Sequence, residues 1–295
     1  MENKEIDHIT GTETTGHAWD GDLKELNTPL PSWWMWIFWI TIIWGIGYSI
    51  VYPHWFAGDK VIPTYFNWSS RGDVHDALDV AKASMAPQFA KLEKASLAEI
   101  SSDADLSRFA QRAGKAVYGD NCTACHGTGA DGVRSGSGYP NLVDTDWLYG
   151  GKLEDIIKTV RVGIRSGHED ERTNTMAAYG DDETLNAEQI KNVAGFVLSL
   201  SGGSLAGADI AKGKQIYMEE AACNACHGDD GKGVAEIPGA PNLSDKIWLF
   251  GGSAQKIIAT ITHGRKGEMP AWDARLTPAQ IKAVAVYIHS RGGGQ

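Results

Sequence analysis

Two pentapeptides of one pattern, Cys122-Thr123-Ala124-Cys125-His126 and Cys223-Asn224-Ala225-Cys226-His227, contain all four cysteines of the chain. Two thiols three positions apart can each form a thioether to one vinyl group of a haem. The histidine that follows is then held beneath the ring as the proximal iron ligand. The expected cofactors are two covalently bound haem c groups, attached at Cys122, Cys125, Cys223 and Cys226, with His126 and His227 on the irons. A zinc ribbon would bring its two Cys pairs within about twenty residues of each other, whereas 98 positions separate Cys125 from Cys223 and a His follows each pair. A dithiol redox centre is the other use of C-x-x-C. A disulfide framework belongs to short secreted domains, not to a chain of 295 residues with four Cys.

A haem iron held by one His binds oxygen or peroxide. A sixth protein ligand makes it an electron carrier, and Met in that place raises its reduction potential. The chain has six Met, and Met176 and Met269 stand 50 residues after His126 and 42 after His227. Each falls in a turn-rich stretch before a periodic apolar segment, so both are expected as iron ligands, against the alternative of Met as a gap-filler in loop packing. Met269 is followed by Pro270 and Met176 by Ala177, with His168 near Met176 and His263 near Met269 as rival imidazoles. Each Met serving the His of its own copy is the simple expectation, and an exchange between copies stays open. Pro140 and Pro241, each 14 residues after the proximal His, are positioned to accept its Nδ1–H through their carbonyls.

The elements that carry these groups are repeated. At an offset of 101 residues Pro140-Asn141-Leu142 meets Pro241-Asn242-Leu243, Trp147 meets Trp248, Gly150-Gly151 meets Gly251-Gly252 and Gly163 meets Gly264. After a shortening in the second copy, Met176 stands opposite Met269 and Leu185-Asn186 opposite Leu276-Thr277. Such self-similarity marks a duplicated domain. Each copy reads as mostly helical, with an opening helix (106–119 and 210–221), Gly-rich turns and a closing helix. In the closing helices Ile190, Val193, Ala194 and Val197, and then Ile281, Val284, Ala285 and Ile288, recur at helical spacing. Ser201 to Gly207 reads as a linker by composition.

Residues 33–56 hold 24 positions without Asp, Glu, Lys or Arg and six of the 11 Trp. As helix this run is about 36 Å long and spans a hydrocarbon core of about 30 Å. Trp33, Trp34, Trp36 and Trp39 gather at one end and Trp55 at the other, as interfacial belts do. A signal peptide wants a basic start, a shorter apolar run and a small-residue cleavage site. A buried core helix rarely carries flanking Trp over such a length. The expected architecture is therefore mainly α: one N-terminal transmembrane helix followed by two tandem class I cytochrome c domains. The division expected is 1–32 (N-terminal segment), 33–56 (span), 57–103 (a linker with an aromatic cluster and a helical stretch), 104–201 (first domain), 202–208 (linker) and 209–295 (second domain).

Residues 1–32 carry two Lys against seven acidic residues, so the positive-inside count does not orient the span. The net charge of −10 disfavours nucleic acid. Acidity suits a cationic redox partner and is equally an ordinary solubilising balance.

Over nearly its whole length the chain resembles the di-haem subunit III, called CcoP or FixP, of cbb3-type cytochrome c oxidases. The approach His17-Ala18-Trp19-Asp20-Gly21-Asp22-Leu23-Lys24-Glu25-Leu26-Asn27-Thr28-Pro29-Leu30-Pro31-Ser32-Trp33-Trp34 carries the resemblance more specifically than the haem motifs do. It departs from the family in lacking Pro after Met176. The resemblance implies an electron-transfer subunit with no catalytic residue of its own, seated in the bacterial inner membrane with a cytoplasmic N-terminus and periplasmic haems. Its implied partners are a soluble or membrane-anchored donor cytochrome c, a companion mono-haem subunit and a haem-copper subunit that reduces oxygen to water and pumps protons. The alternatives are a di-haem carrier serving a periplasmic dehydrogenase and a di-haem peroxidase, which requires one haem with a displaceable sixth ligand.

Overall fold

The computed structural model describes residues 5–52, 56–57, 60–61, 69–132 and 136–293, in two compact units, 1–83 and 84–295. In the first unit, strands β1 (Thr14–Trp19) and β2 (Leu23–Leu26) form an antiparallel hairpin with Trp19 opposite Leu23 and Thr14 opposite Leu26. Asp20 and Gly21, both at positive φ, make its turn, as a tight hairpin connection demands. Lys24 pairs with Glu5 across it.

Helix α1 (Ser32–Val51) follows Pro31, has no charged residue in its first or last turn and leaves its side chains outward. Among the described residues it is the one helix long and apolar enough to cross a membrane. Its 20 residues span about 30 Å. Rings stack along it in steps of four residues, Trp34 on Phe38 at 5.5 Å and Trp44 on Tyr48 at 5.3 Å. The helix ends at Val51, five residues short of the expected limit, because the backbone turns extended at Tyr52 before Pro53. The expected belt residue Trp55 and most of the aromatic cluster at 61–68 lie outside the described residues. A short antiparallel pair, β3 (Phe56–Ala57) and β4 (Lys60–Val61), follows.

Helix α2 (Ser70–Lys94) runs into the second unit, where Leu92 is its buried residue. Helix α3 (Leu97–Ser102) begins with a capping box between Ser96 and Glu99, and α4 (Ala104–Asn121) with Asp103 accepting from two amides of its first turn. These caps satisfy amide groups that have no partner inside the helix. Beyond α4 come α5 (Thr123–His126), α6 (Leu153–Val162), α7 (Ala187–Leu200), α8 (Ile210–Gln215) running into a π turn over Ile216–Glu220, α9 (Asn224–His227), α10 (Ala254–His263) and α11 (Pro278–Ile288). Both closing helices, α7 and α11, start with capping boxes, Asn186 with Gln189 and Thr277 with Gln280. Pro278 sits at the start of α11, where its missing N–H is harmless.

The two repeats do not close on themselves. The opening helix of the first, α4, packs on the closing helix of the second, α11, while α8 packs on α7. Each crossing is built alike. Gly114 of α4 meets α11 where an added Cβ would overlap the Ala283 carbonyl, and Gly213 of α8 meets α7 where one would overlap that of Asn192. Four residues on, Tyr118 lies 5.5 Å from Tyr287 between ring centroids and Tyr217 lies 5.1 Å from Phe196. The cores follow this exchange. Val117, Tyr118, Leu276, Ile281 and Val284 share one, against Ile157 and Val160 of α6. Val193, Val197, Ile216, Tyr217, Ile257 and Ile261 share another, and Leu92, Ile100, Leu106 and Ala110 pack with Ala283 and Val286 in a third. Burial of an aliphatic side chain such as Val193 or Val284 contributes about 1.5–3 kcal/mol, so both lobes gain their stability from segments of both repeats.

Candidate haem sites

One helical turn positions each attachment motif. In α5 the amides of Cys125 and His126 both point back to the Cys122 carbonyl, at 3.2 and 2.9 Å, and in α9 those of Cys226 and His227 point to that of Cys223 at the same distances. Residues three and four apart share a helix face, so both sulfurs and the imidazole of each motif address one side. Burial pushes the Cys122 and Cys223 thiols up to about 11, while Cys125 and Cys226 are exposed. None of the four is in a disulfide.

The imidazoles are oriented from behind. His126 Nδ1 lies 3.2 Å from the Pro140 carbonyl oxygen and His227 Nδ1 lies 3.0 Å from that of Pro241, the contact expected from the 14-residue spacing. With Nδ1–H donating there, Nε2 is left as the base that a metal requires. Burial holds both imidazoles below their ordinary pKa, against the opposing effect of the proline carbonyl bond. That favours the neutral form, which a metal ligand requires. The Pro-Asn-Leu repeat makes this turn in each copy. The Asn141 side chain accepts from Val143 N–H and that of Asn242 from Ser244 N–H, while Leu142 and Leu243 tie back to Ala130 and Gly231. Tyr118 and Tyr217 brace the other end by donating to the Gly127 and Gly228 carbonyls at 2.7 and 2.8 Å. Burial raises both phenol pKa values, so they remain donors.

The methionines cross between lobes with the closing helices. Met269 exchanges two backbone hydrogen bonds with Ile164, each 2.9 Å, directly after α6 of the first repeat. Met176 does the same with Arg265 after α10 of the second, at 2.9 and 3.1 Å. Met176 packs on the core that also holds Cys223 and Trp248. Gly163 and Gly264, at φ of 71° and 65°, make room for these strands; a Cβ there would overlap the Met269 and Met176 carbonyls.

The rival imidazoles are engaged elsewhere. His168 contacts Asp273 through Nε2 at 3.0 Å and accepts the Asp170 amide at Nδ1, and His263 pairs with Asp181 at 2.9 Å. Among the described residues, no three His, Cys, Asp or Glu side chains gather as a zinc site would require.

Sequence reading passed over Arg172 and Arg265, whose guanidiniums cover the Tyr149 and Phe250 rings at 5.0 and 4.3 Å. Each stands four residues before a Met. The offset of 101 conceals that spacing because the copies differ in length before it.

Two motifs of C-x-x-C-H, each with a proline-anchored His in its own helical lobe behind an apolar helix, define a membrane-anchored di-haem c-type cytochrome. Residues 109–197 and 208–288 match the family profile described as cytochrome c oxidase, cbb3-type, subunit III, and residues 11–59 match the N-terminal domain of cytochrome oxidase-cbb3, FixP. Relatives agree over the full chain. A protein named cbb3-type cytochrome c oxidase subunit FixP from Bradyrhizobium sp. (strain ORS 278) is 51% identical, covering 100% of this chain and 99% of its own. The FixP of Bradyrhizobium diazoefficiens is 48% identical over the same shares, and subunit CcoP of Cereibacter sphaeroides is 44% identical over 96% of this chain and 95% of its own. The chain belongs to the cbb3-type cytochrome c oxidase subunit III family.

Proposed function

We propose that this chain takes electrons from a soluble or membrane-anchored donor cytochrome c and passes them to a companion mono-haem subunit. From there they reach a haem-copper subunit that reduces oxygen to water and pumps protons. The observation that carries this reading is the pair of like sites, each a C-x-x-C-H turn with its His Nδ1 held by a proline carbonyl, joined to an apolar helix of membrane-spanning length. Bound haem supplies one-electron redox chemistry. The chain's own residues attach it, orient the imidazole and exclude water. The segment 1–32 is placed in the cytoplasm, 33–56 in the inner membrane, and 57–103, 104–201, 202–208 and 209–295 in the periplasm.

For the sixth ligands we infer that the pairs are crossed, Met269 serving the lobe of His126 and Met176 the lobe of His227. The reciprocal hydrogen bonds of Met269 to Ile164 and of Met176 to Arg265 support it, as does the packing of Met176 on the Cys223 core.

Native electrophoresis of mildly solubilised membranes, with covalent-haem staining and an in-gel cyanide-sensitive cytochrome c oxidase assay, tests the assignment. A haem-stained chain near 31.8 kDa recovered from an oxidase-active assembly is expected. The same chain in a band with dehydrogenase activity and no oxidase would move it to the alternative carrier. Peroxide turnover by the isolated chain would point to the peroxidase.

A further inference from the structure

Arg172 and Arg265 occupy matching places in the two lobes. Arg172 donates through Nε to Thr159 Oγ1 at 3.0 Å and lies over Tyr149; Arg265 donates through Nε and Nη2 to Thr260 Oγ1 at 3.0 and 2.7 Å and lies over Phe250. Tyr149 and Phe250, like Thr159 and Thr260, are equivalents at the repeat offset of 101. Both arginines adjoin a methionine. Arg265 is itself paired with Met176, and Ile164 is bridged to Met269 and also to Arg172.

Their charge is incompletely answered by the chain. The Arg172 side chain is only 12% exposed, and among the described residues its one carboxylate ion-pair neighbour, Asp155, stands 3.9 Å away. The position equivalent to Asp155 in the second copy is Lys256, and among the described residues no carboxylate comes within ion-pair reach of Arg265. A guanidinium withdrawn from water without an anion is costly, and a hydroxyl and a ring face do not neutralise it. Two such cations, each on the wall of a lobe that bears a C-x-x-C-H motif, call for two anions from outside the sequence.

We infer that Arg172 and Arg265 are the charge partners of the haem carboxylates, the propionates, each in its own lobe, and that they set the reduction potential there as positioning residues. The inference rests on the two covalent haems of the function proposed above. A nearby cation disfavours the added positive charge of the oxidised iron, so removing it lowers the potential. The effect is larger for Arg265, because Asp155 already offsets part of the charge of Arg172.

The test is an optical redox titration of the full-length holo-chain carrying Arg172→Gln, Arg265→Gln or Arg265→Lys, after covalent-haem content has been counted. Two titration waves are expected. Arg265→Gln shifts one of them down, Arg172→Gln shifts the other down by less, and Arg265→Lys, which keeps the charge, holds the wild-type position. Unmoved waves in both Gln variants, or one wave moved by both, overturn the inference. If Arg265→Gln loses its haem, Arg265→Lys decides: a wild-type wave sustains the charge role and a lowered one refutes it. A wild-type chain without two covalent haems would instead sink the function on which the inference stands.

Discussion

At the scale of single residues, the two lobes depend on contacts that leave no slack. Gly114 and Gly213 let two helix backbones touch, and a methyl group there meets a carbonyl oxygen. Overpacking of this kind costs about 1–3 kcal/mol. Gly114→Ala is therefore expected to lower the thermal midpoint of the detergent-solubilised chain, followed by circular dichroism, whereas Gly119→Ala, where an added Cβ meets nothing, leaves it unchanged or higher. Asp146 gives a pH prediction. Burial, then Asp245, then Asp144 push its carboxyl up to about 6 from an ordinary 3.8. Between those values the folded state holds a proton that the unfolded chain has released, so stability falls as pH rises from about 4 to about 6. After allowance for solvent screening the loss is about 1 kcal/mol. Asp146→Asn should flatten that slope and raise the midpoint at neutral pH; an unchanged pH profile would count against a buried charge at this site.

At the scale of elements, α1 and α11 show how differently helices are specified. α1 needs only length and the absence of charge, since lipid solvates every face. Ile43→Asp places a carboxylate mid-helix at a cost of about 2.5–3.5 kcal/mol, and alkaline carbonate extraction should then release part of the chain from membranes. α11 is buried on nearly every side, Ala283 through Val286 included, and starts on a capping box, with Thr277 accepting the Gln280 amide and Gln280 reaching back. Thr277→Ala removes that acceptor at a cost of about 1 kcal/mol, read as a drop in unfolding midpoint. The periodicity of Ile281, Val284 and Ile288 shows that this helix has a buried face. It does not show against what.

At the scale of the whole molecule, the exchange of closing segments makes the two haem lobes interdependent. A chain ending at residue 201 contains a complete first repeat by sequence, yet it lacks α11, which covers α4, Ile157 and Val160. Such a truncation is expected to be protease-sensitive, without the cooperative unfolding of the full chain. A resistant, haem-loaded fragment would show that each repeat closes on itself when alone.

The candidate haem-attachment residues were the most legible part of this protein, because thioether attachment and its proximal ligand need Cys, Cys and His at a fixed spacing within one short turn, a local pattern. The apolar span was equally legible, since a bilayer reads composition rather than contacts, and so was the proline behind each His, at a constant distance along the chain. What only the tertiary structure decided was the partner of each closing helix, and with it the lobe in which the segments of Met176, Met269, Arg172 and Arg265 lie. The repeats are near-copies, so α7 and α11 present similar apolar faces and either opening helix offers Gly and Tyr four residues apart to receive them. Periodicity states that a face is buried. Where two docking sites are alike, the choice between them falls to chain connection, the 13 residues from Gly163 to Met176 against five from Gly264 to Met269, and to the packing that those links permit.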